Sequence, residues 1–245
     1  MSVQDGDRDP TGVRRVRAPN PSAMTLDGTN TYVVGGWVVD PGPADEEHLQ
    51  AVQAALDGPL AGIVLTHSHA DHSEGAGPLS ERSGAAPVTL PRGGQEIGPF
   101  RAMATPGHAP DHVCLIAGTT CFAGDTVMGE GSVFISPDEG SLSAYLDSLR
   151  ALRGLDLEVL CPGHGPYVWT PGAKLDEYIA HRLERERLLL AALEGGARSE
   201  DELLELAWSD APPSLRPVAA LTLRAHLRKL ADEGRAPSDL EDGLL

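Results

Sequence analysis

The chain has 245 residues, 41% of them hydrophobic, and a formal charge of −17. That leaves room for one large domain, or a large one and a small one, around a real core; the acidity argues against broad nonspecific nucleic-acid binding. No apolar run approaches the roughly 18 residues of a membrane span, and charged residues 1–17 lack the apolar stretch of a secretory signal, so a cytoplasmic location is expected.

Residues 1–12 are polar and expected to fray. Strands are predicted over 13–18, 31–34 and 37–40, with Gly35-Gly36 as a tight turn. Arg8, Arg14, Arg15 and Arg17 read as a solvated, partly disordered arm. A helix is predicted over 45–56, with Asp45 as cap and Leu49, Val52 and Leu56 on one face. The apolar run 62–65 predicts a buried strand, and a short helix follows over 74–83. Further strands are predicted over 87–90, 101–104, 113–117, 120–123 and 158–160, and an amphipathic helix over 141–153. After Thr170-Pro171-Gly172 the strand signals vanish. Helices are predicted over 173–194, over 199–208 with Ser199 and Glu202 as a capping box, and over 214–233. The domains are therefore drawn at 1–172 and 173–245. Cys114, Cys121 and Cys161 lack CxxC spacing and are expected to be reduced core residues.

The segment Thr66-His67-Ser68-His69-Ala70-Asp71-His72 directly follows the strand at 62–65. Imidazoles and a carboxylate pack poorly but bind zinc and its neighbours well. By composition, His-x-His-x-Asp-His should arise by chance on the order of once per thousand such chains. Three more loops place a ligand type beside Gly or Pro after an apolar run: Thr105-Pro106-Gly107-His108, Gly124-Asp125 and Cys161-Pro162-Gly163-His164-Gly165-Pro166. Rigid strands carrying polar loops are the usual support of a site.

In this order the motifs resemble those of the metallo-β-lactamase superfamily. The segment Asn20-Pro21-Ser22-Ala23-Met24-Thr25-Leu26-Asp27-Gly28-Thr29-Asn30-Thr31-Tyr32 and the helical tail resemble its beta-lactamase-like protein 2 group. The resemblance implies an α/β fold, a four-layer αβ/βα sandwich followed by a small all-α winged-helix-like domain. No strand pattern for a wing follows Gly234. It also implies two divalent metal ions. His67, His69 and His108 would hold the first, and Asp71, His72 and His164 the second, with Asp125 bridging. Zinc is the default for such a donor set, and iron or manganese would tolerate it.

A water shared by two such ions is acidified to near neutrality, giving a nucleophile, which Asp71 as the catalytic residue could orient and deprotonate. The resemblance points to cleavage of single-stranded RNA. The charge points instead to small esters or thioesters, and lactams or lactones are a further alternative. The tail would position substrate or form a homodimer contact. No membrane partner is expected. Arg224, Arg228 and Lys229 are either a nucleic-acid face or the solvated side of a packing helix. His112 is left open between a supporting or substrate-facing role and loop structure, Asp111 could orient a ligand histidine, and His48, His181 and His226 read as surface or packing residues.

Overall fold

The structure, a computed structural model, describes residues 8–84 and 86–245. The fraying expected at 1–12 falls in part on residues outside the described ones. Two five-stranded mixed sheets form the body. The first runs β1 (Val13–Arg17), β2 (Asn30–Val34), β3 (Trp37–Val39), β4 (Gly62–Val64) and β5 (Val88–Thr89). The second runs β6 (Glu96–Ile97), β7 (Phe100–Ala104), β8 (Val113–Ala117), β9 (Thr120–Gly124) and β10 (Val159–Pro162). The strands β3, β4 and β5 are parallel, as are β9 and β10; the other pairs are antiparallel.

Three apolar layers weld four layers of structure. Between the sheets lie Tyr32, Val39 and Val64 against Phe100, Leu115 and Phe122. Outside the first sheet, α1 (Glu46–Ala54) and α3 (Ala76–Arg82) bury Leu49, Val52 and Leu79 against Val38 and Ile63. Outside the second, α4 (Leu142–Arg153) buries Leu142, Tyr145, Leu146, Leu149 and Leu152, the stripe read from its spacing. This is the anticipated αβ/βα sandwich.

Asp45 caps α1, accepting from the His48 N–H at 2.8 Å, and Ser141 caps α4. Two elements went unpredicted. One is β6; the other is α2 (Ala70–Ser73), a single turn that carries Asp71 and His72. Both are too short to show a period. The arginines at 14, 15 and 17 sit on β1, not on a disordered arm. Arg14 pairs with Asp57 at 2.6 Å, Arg17 with Asp27 at 3.2 Å, and Arg15 lies over the Tyr167 ring. Cys114, Cys121 and Cys161 are free and buried.

The tail consists of α5 (Pro171–Glu194), α6 (Glu200–Ala207) with the expected Ser199–Glu202 capping box, and α7 (Arg216–Asp232), entered through a 3-10 turn at Pro213–Leu215. Its own core gathers Leu189, Leu193, Leu203, Leu223 and Leu227. The first half of α5 belongs to the sandwich, where Leu175 and Tyr178 join the core under α4. The Tyr178 hydroxyl also donates to the Gly131 carbonyl at 2.9 Å. The break drawn at 172/173 thus falls at the start of a helix that two cores share. Residues 233–245 form no strand; the segment folds back, with Arg198 bonded to Asp239 at 2.8 Å and Leu244 buried. No described helix is long and apolar enough to cross a membrane.

His226 is fully buried on α7, its ring 5.5 Å from Trp208, and neither ring nitrogen has a hydrogen-bond partner among the described residues. Burial, then the positive charges of Arg182, Lys229, His181 and Arg185, push its pKa well down. The folded chain therefore keeps the ring neutral, whereas the unfolded chain protonates it below about pH 6.5. Stability from this group is complete above that pH and is lost as the pH falls, because the unfolded state takes the proton. His226→Leu should flatten the acid limb of a plot of Tm against pH; a limb parallel to wild type would count against this account.

Candidate metal centre

Four loops meet at one edge of the sandwich, each leaving the end of a strand. The loop after β4 brings His67 and His69, and its turn of helix brings Asp71 and His72. The loop after β7 brings His108, the end of β9 brings Asp125, and the end of β10 brings His164. Close backbone approach makes this possible. A Cβ at Gly163 would lie 2.4 Å from Asp125 Oδ1 and 2.6 Å from His72 Cε1, so only glycine lets that loop come in. Gly124, at φ +47, passes similarly close to Thr66 and His112.

All seven predicted ligand residues are brought together. Their donor atoms form three groups, each within 4.8 Å: His67, His69 and His108; His67, His72 and Asp125; Asp71, His72 and His164. Asp125 lies in the middle. Its Oδ2 is 3.5 Å from His108 Nε2, and its Oδ1 is 3.3 Å from His72 Nε2 and 3.4 Å from His164 Nε2. Asp71 Oδ2 is 3.4 Å from His164 Nε2 and 3.6 Å from His72 Nε2.

What the outer ring nitrogens do decides what the inner ones can do. His72 Nδ1 is 3.0 Å from Asp40 Oδ2 and donates to it. Thr66 Oγ1 donates to the same carboxylate at 2.7 Å, so it accepts from His67 Nδ1 at 3.0 Å. His108 Nδ1 donates to the Phe134 carbonyl at 2.9 Å, and His164 Nδ1 faces the Gly28 carbonyl at 3.4 Å. His69 is turned the other way: Nε2 faces Glu139 at 3.4 Å and Nδ1 lies 3.0 Å from His108 Nε2. These partners assign the tautomers. Each ring directs its proton outward and keeps a lone pair pointing inward, which is how proteins orient imidazole ligands. His67 Nε2, His72 Nε2 and Asp125 Oδ1 are buried with no hydrogen-bond partner among the described residues. Buried polar atoms rarely stay unpaired, so this donor set fits divalent cations.

The carboxylates of the cup attract positive charge, which a divalent cation would supply in place of protons on the rings. Burial opposes charge on His164, but Asp125 and Asp71 outweigh it and hold the ring up at about 9. The same opposition leaves His72 raised, by Asp125 and Asp40, and Asp125 well below the usual carboxylate value, by His72 and His164. Strong coupling between acids and imidazoles in one cup marks a functional site.

Asp40 is the residue that sequence reasoning missed. It is 2% exposed, at φ +49, and ties together Thr66, His67 and His72. A signal existed: Asp40-Pro41-Gly42 follows the apolar run of β3, the same pattern as the other loops. Asp111, suggested for this part, makes no hydrogen bond to a ligand histidine, and its buried Oδ1 has no partner among the described residues. His112 stands behind the cup. Its Nε2 accepts from the Asp125 N–H at 3.0 Å and its Nδ1 donates to Thr105 at 2.9 Å, while burial and then His108 push its pKa down to about 3. It holds the Asp125 backbone and stays neutral. His48 is buried against Thr31, and His181 is half-buried at the tail.

The family model described as Metallo-beta-lactamase superfamily matches residues 24–103 and 89–164, and that described as Beta-lactamase associated winged helix domain matches residues 199–242. The chain is 30% identical to a Beta-lactamase-like protein 2 homolog of Drosophila melanogaster, over 92% of this chain and 89% of that one. It is 29% identical to the Atrochrysone carboxyl ACP thioesterase of Aspergillus chevalieri, over 95% of this chain and 85% of that one. It is 34% identical to the Lactamase-like protein nscB of Trichophyton rubrum over 74% of its own length, and spans 63% of that relative. A Beta-lactamase domain protein from Burkholderia ambifaria superposes with a TM-score of 0.76 at 21% identity, covering 94% of this chain and 88% of that one. The protein TTHA1623 in a di-iron-bound form superposes with a TM-score of 0.53 at 26% identity, covering 64% of this chain and 94% of that one.

Proposed function

Since the chain belongs to the metallo-beta-lactamase superfamily of hydrolases and ends in a winged helix domain, we propose that it is a metal-dependent hydrolase of esters or thioesters. The observation that carries this reading is the convergence of five imidazoles and two carboxylates into one set of cation-ligating donors. His67, His69 and His108 would hold one divalent ion and Asp71, His72 and His164 another, with Asp125 against both. Zinc, iron and manganese all suit these ligands. Bound there, such ions supply a Lewis acid for the carbonyl oxygen and lower the pKa of water.

The chain's own residues do the rest. Asp71 is the more open carboxylate of the cup, its side chain 32% exposed against 13% for Asp125. Burial works against its charge, but His164 and His72 hold it below the usual carboxylate value, so it is ionised at neutral pH. It is therefore placed to orient an attacking water and accept its proton. Apolar side chains at the mouth, Leu26, Met128 and Phe134, keep bulk water from the reacting carbonyl.

Cleavage of single-stranded RNA is the second reading, favoured by the winged helix match, a module whose helix can enter a nucleic-acid groove. The basic residues of α7 weigh against it. Arg224 pairs with Glu200 at 2.7 Å, Lys229 with Glu186 and Glu233 at 2.7 Å each, and Arg228 donates to the Pro137 carbonyl. Cations already engaged within the chain offer little to a phosphate backbone. The relative named as an acyl-carrier thioesterase supports the ester reading.

A turnover panel decides: p-nitrophenyl acetate, an acetyl thioester, bis(p-nitrophenyl) phosphate, a single-stranded RNA and a lactam. Ester or thioester turnover that a chelator abolishes is expected; RNA cleavage without ester turnover would overturn the reading. Converting Arg224, Arg228 and Lys229 together to Ala should leave any RNA binding and its salt dependence unchanged. A weaker, flatter salt response would instead reveal phosphate contacts.

A further inference from the structure

The five imidazoles of the cup are not backed alike. His67 leans on Thr66, His72 on Asp40 and His164 on the Gly28 carbonyl, all of them in loops beside the first sheet. His108 and His69 lean instead on one loop, residues 131–140. Its Phe134 carbonyl accepts from His108 Nδ1 at 2.9 Å, and its Glu139 carboxylate faces His69 Nε2 at 3.4 Å.

The tail holds that loop. On α5, the Tyr178 hydroxyl donates to the Gly131 carbonyl at 2.9 Å and Arg182 Nη2 donates to the Val133 carbonyl. On α7, Arg228 Nη1 donates to the Pro137 carbonyl. The contacts alternate along the loop: the tail grips Gly131, Val133 and Pro137, and the histidines meet Phe134 and Glu139. Val133 and Ile135 are also buried in the core under α4, which pins the first half. The second half is a turn closed by the Gly140 N–H on the Ser136 carbonyl at 2.8 Å, and Arg228 ties that turn to α7.

The backing matters because of what the rings face. His69 Nδ1 lies 3.0 Å from His108 Nε2. With their protons directed outward, both nitrogens are acceptors. Two acceptors at that distance repel, so the outward bonds must keep the rings in place until a cation is bound.

We propose that Arg228 and Glu139 are positioning residues for the metal position of His67, His69 and His108, and that the tail acts on that position through the 131–140 loop. Neither side chain touches a reacting atom. Arg228 fixes the turn, the turn carries Glu139, and Glu139 sets the tilt and tautomer of His69. Asp71, His72 and His164 take their outer contacts from Thr29, Asp40 and Gly28 instead. A change on α7 is therefore felt at one metal position and not at the other. The inference rests on the metal-holding part of the reading above and is independent of the bond that is cut.

The test titrates cobalt(II) into the metal-free full chain and follows its visible absorption, which reports each position as it fills. His69→Ala marks the step that belongs to the first position. Glu139→Ala should weaken that step about tenfold, the low end for a residue bonded behind a ligand. Arg228→Met, which keeps the stem and removes the donor, should weaken it about threefold or more, and Arg228→Lys should recover part of the loss. The other step should keep its wild-type affinity in all three variants. Arg224→Ala, whose side chain pairs with Glu200, should change neither step. Arg228 and Glu139 are both exposed, and melting curves check that each variant folds. A first step unmoved in Arg228→Met would overturn the proposal and leave the metal reading standing. Equal weakening of both steps would overturn it too, because a general loss of structure does not choose between positions. A wild type that takes up no cobalt would overturn the metal reading and the proposal with it.

Discussion

Asp125→Ala should strip the centre of bound metal and lower kcat/KM on any good substrate by roughly 10³-fold or more. The wild type should carry about two metal equivalents, as a two-ion site requires. Asp125 is the carboxylate that faces both ligand groups, through Oδ2 toward His108 and Oδ1 toward His72 and His164. Its loss would leave two buried imidazoles without their main counter-charge and two cations without a shared ligand. Metal analysis after purification, beside turnover, checks the result. A variant that keeps two equivalents and near wild-type rates would remove Asp125 from the centre.

Asp71→Ala should act differently. Asp71 belongs to the group with His72 and His164, not to that of His67, His69 and His108. At least one metal should therefore remain while turnover falls by ~10²–10⁴-fold, the usual worth of positioned proton transfer. The two variants separate holding from reacting. Loss of all metal in Asp71→Ala would make that residue structural; an unaltered rate with metal retained would take it out of the chemistry.

The strands and the polar loops that follow them were legible in the sequence for one local reason, whereas the four-layer sandwich and the full ligand set were implied by the family resemblance. Each ligand follows closely on the end of a strand, in a loop or, for Asp71 and His72, in the single helical turn after it, so local pattern marks both the strand and the ligand types. The run 62–65 predicted β4, and the histidines follow within seven residues. The stripe at 142, 145, 146, 149 and 152 predicted the buried face of α4, because a helix repeats its face every turn or so. The Ser199–Glu202 box fixed the start of α6 in the same way.

Only the tertiary structure decided which atoms the ligands would present. Asp40 reaches His72 across 32 positions, the Phe134 carbonyl reaches His108 across 26, and the Gly28 carbonyl reaches His164 across 136. No local period encodes such pairs; they follow from how the sheets stack. The basic residues of α7 show the same limit. Their spacing could not say whether solvent, phosphate or the chain's own acids would meet them, and folding gave two of the three Glu186, Glu200 and Glu233 as partners. The chain determined its ligand types and the elements that carry them, because those rest on local backbone preference. It left tautomers, counter-charges and the tail's grip on the 131–140 loop to tertiary packing, because burial and distance exist only once the layers close.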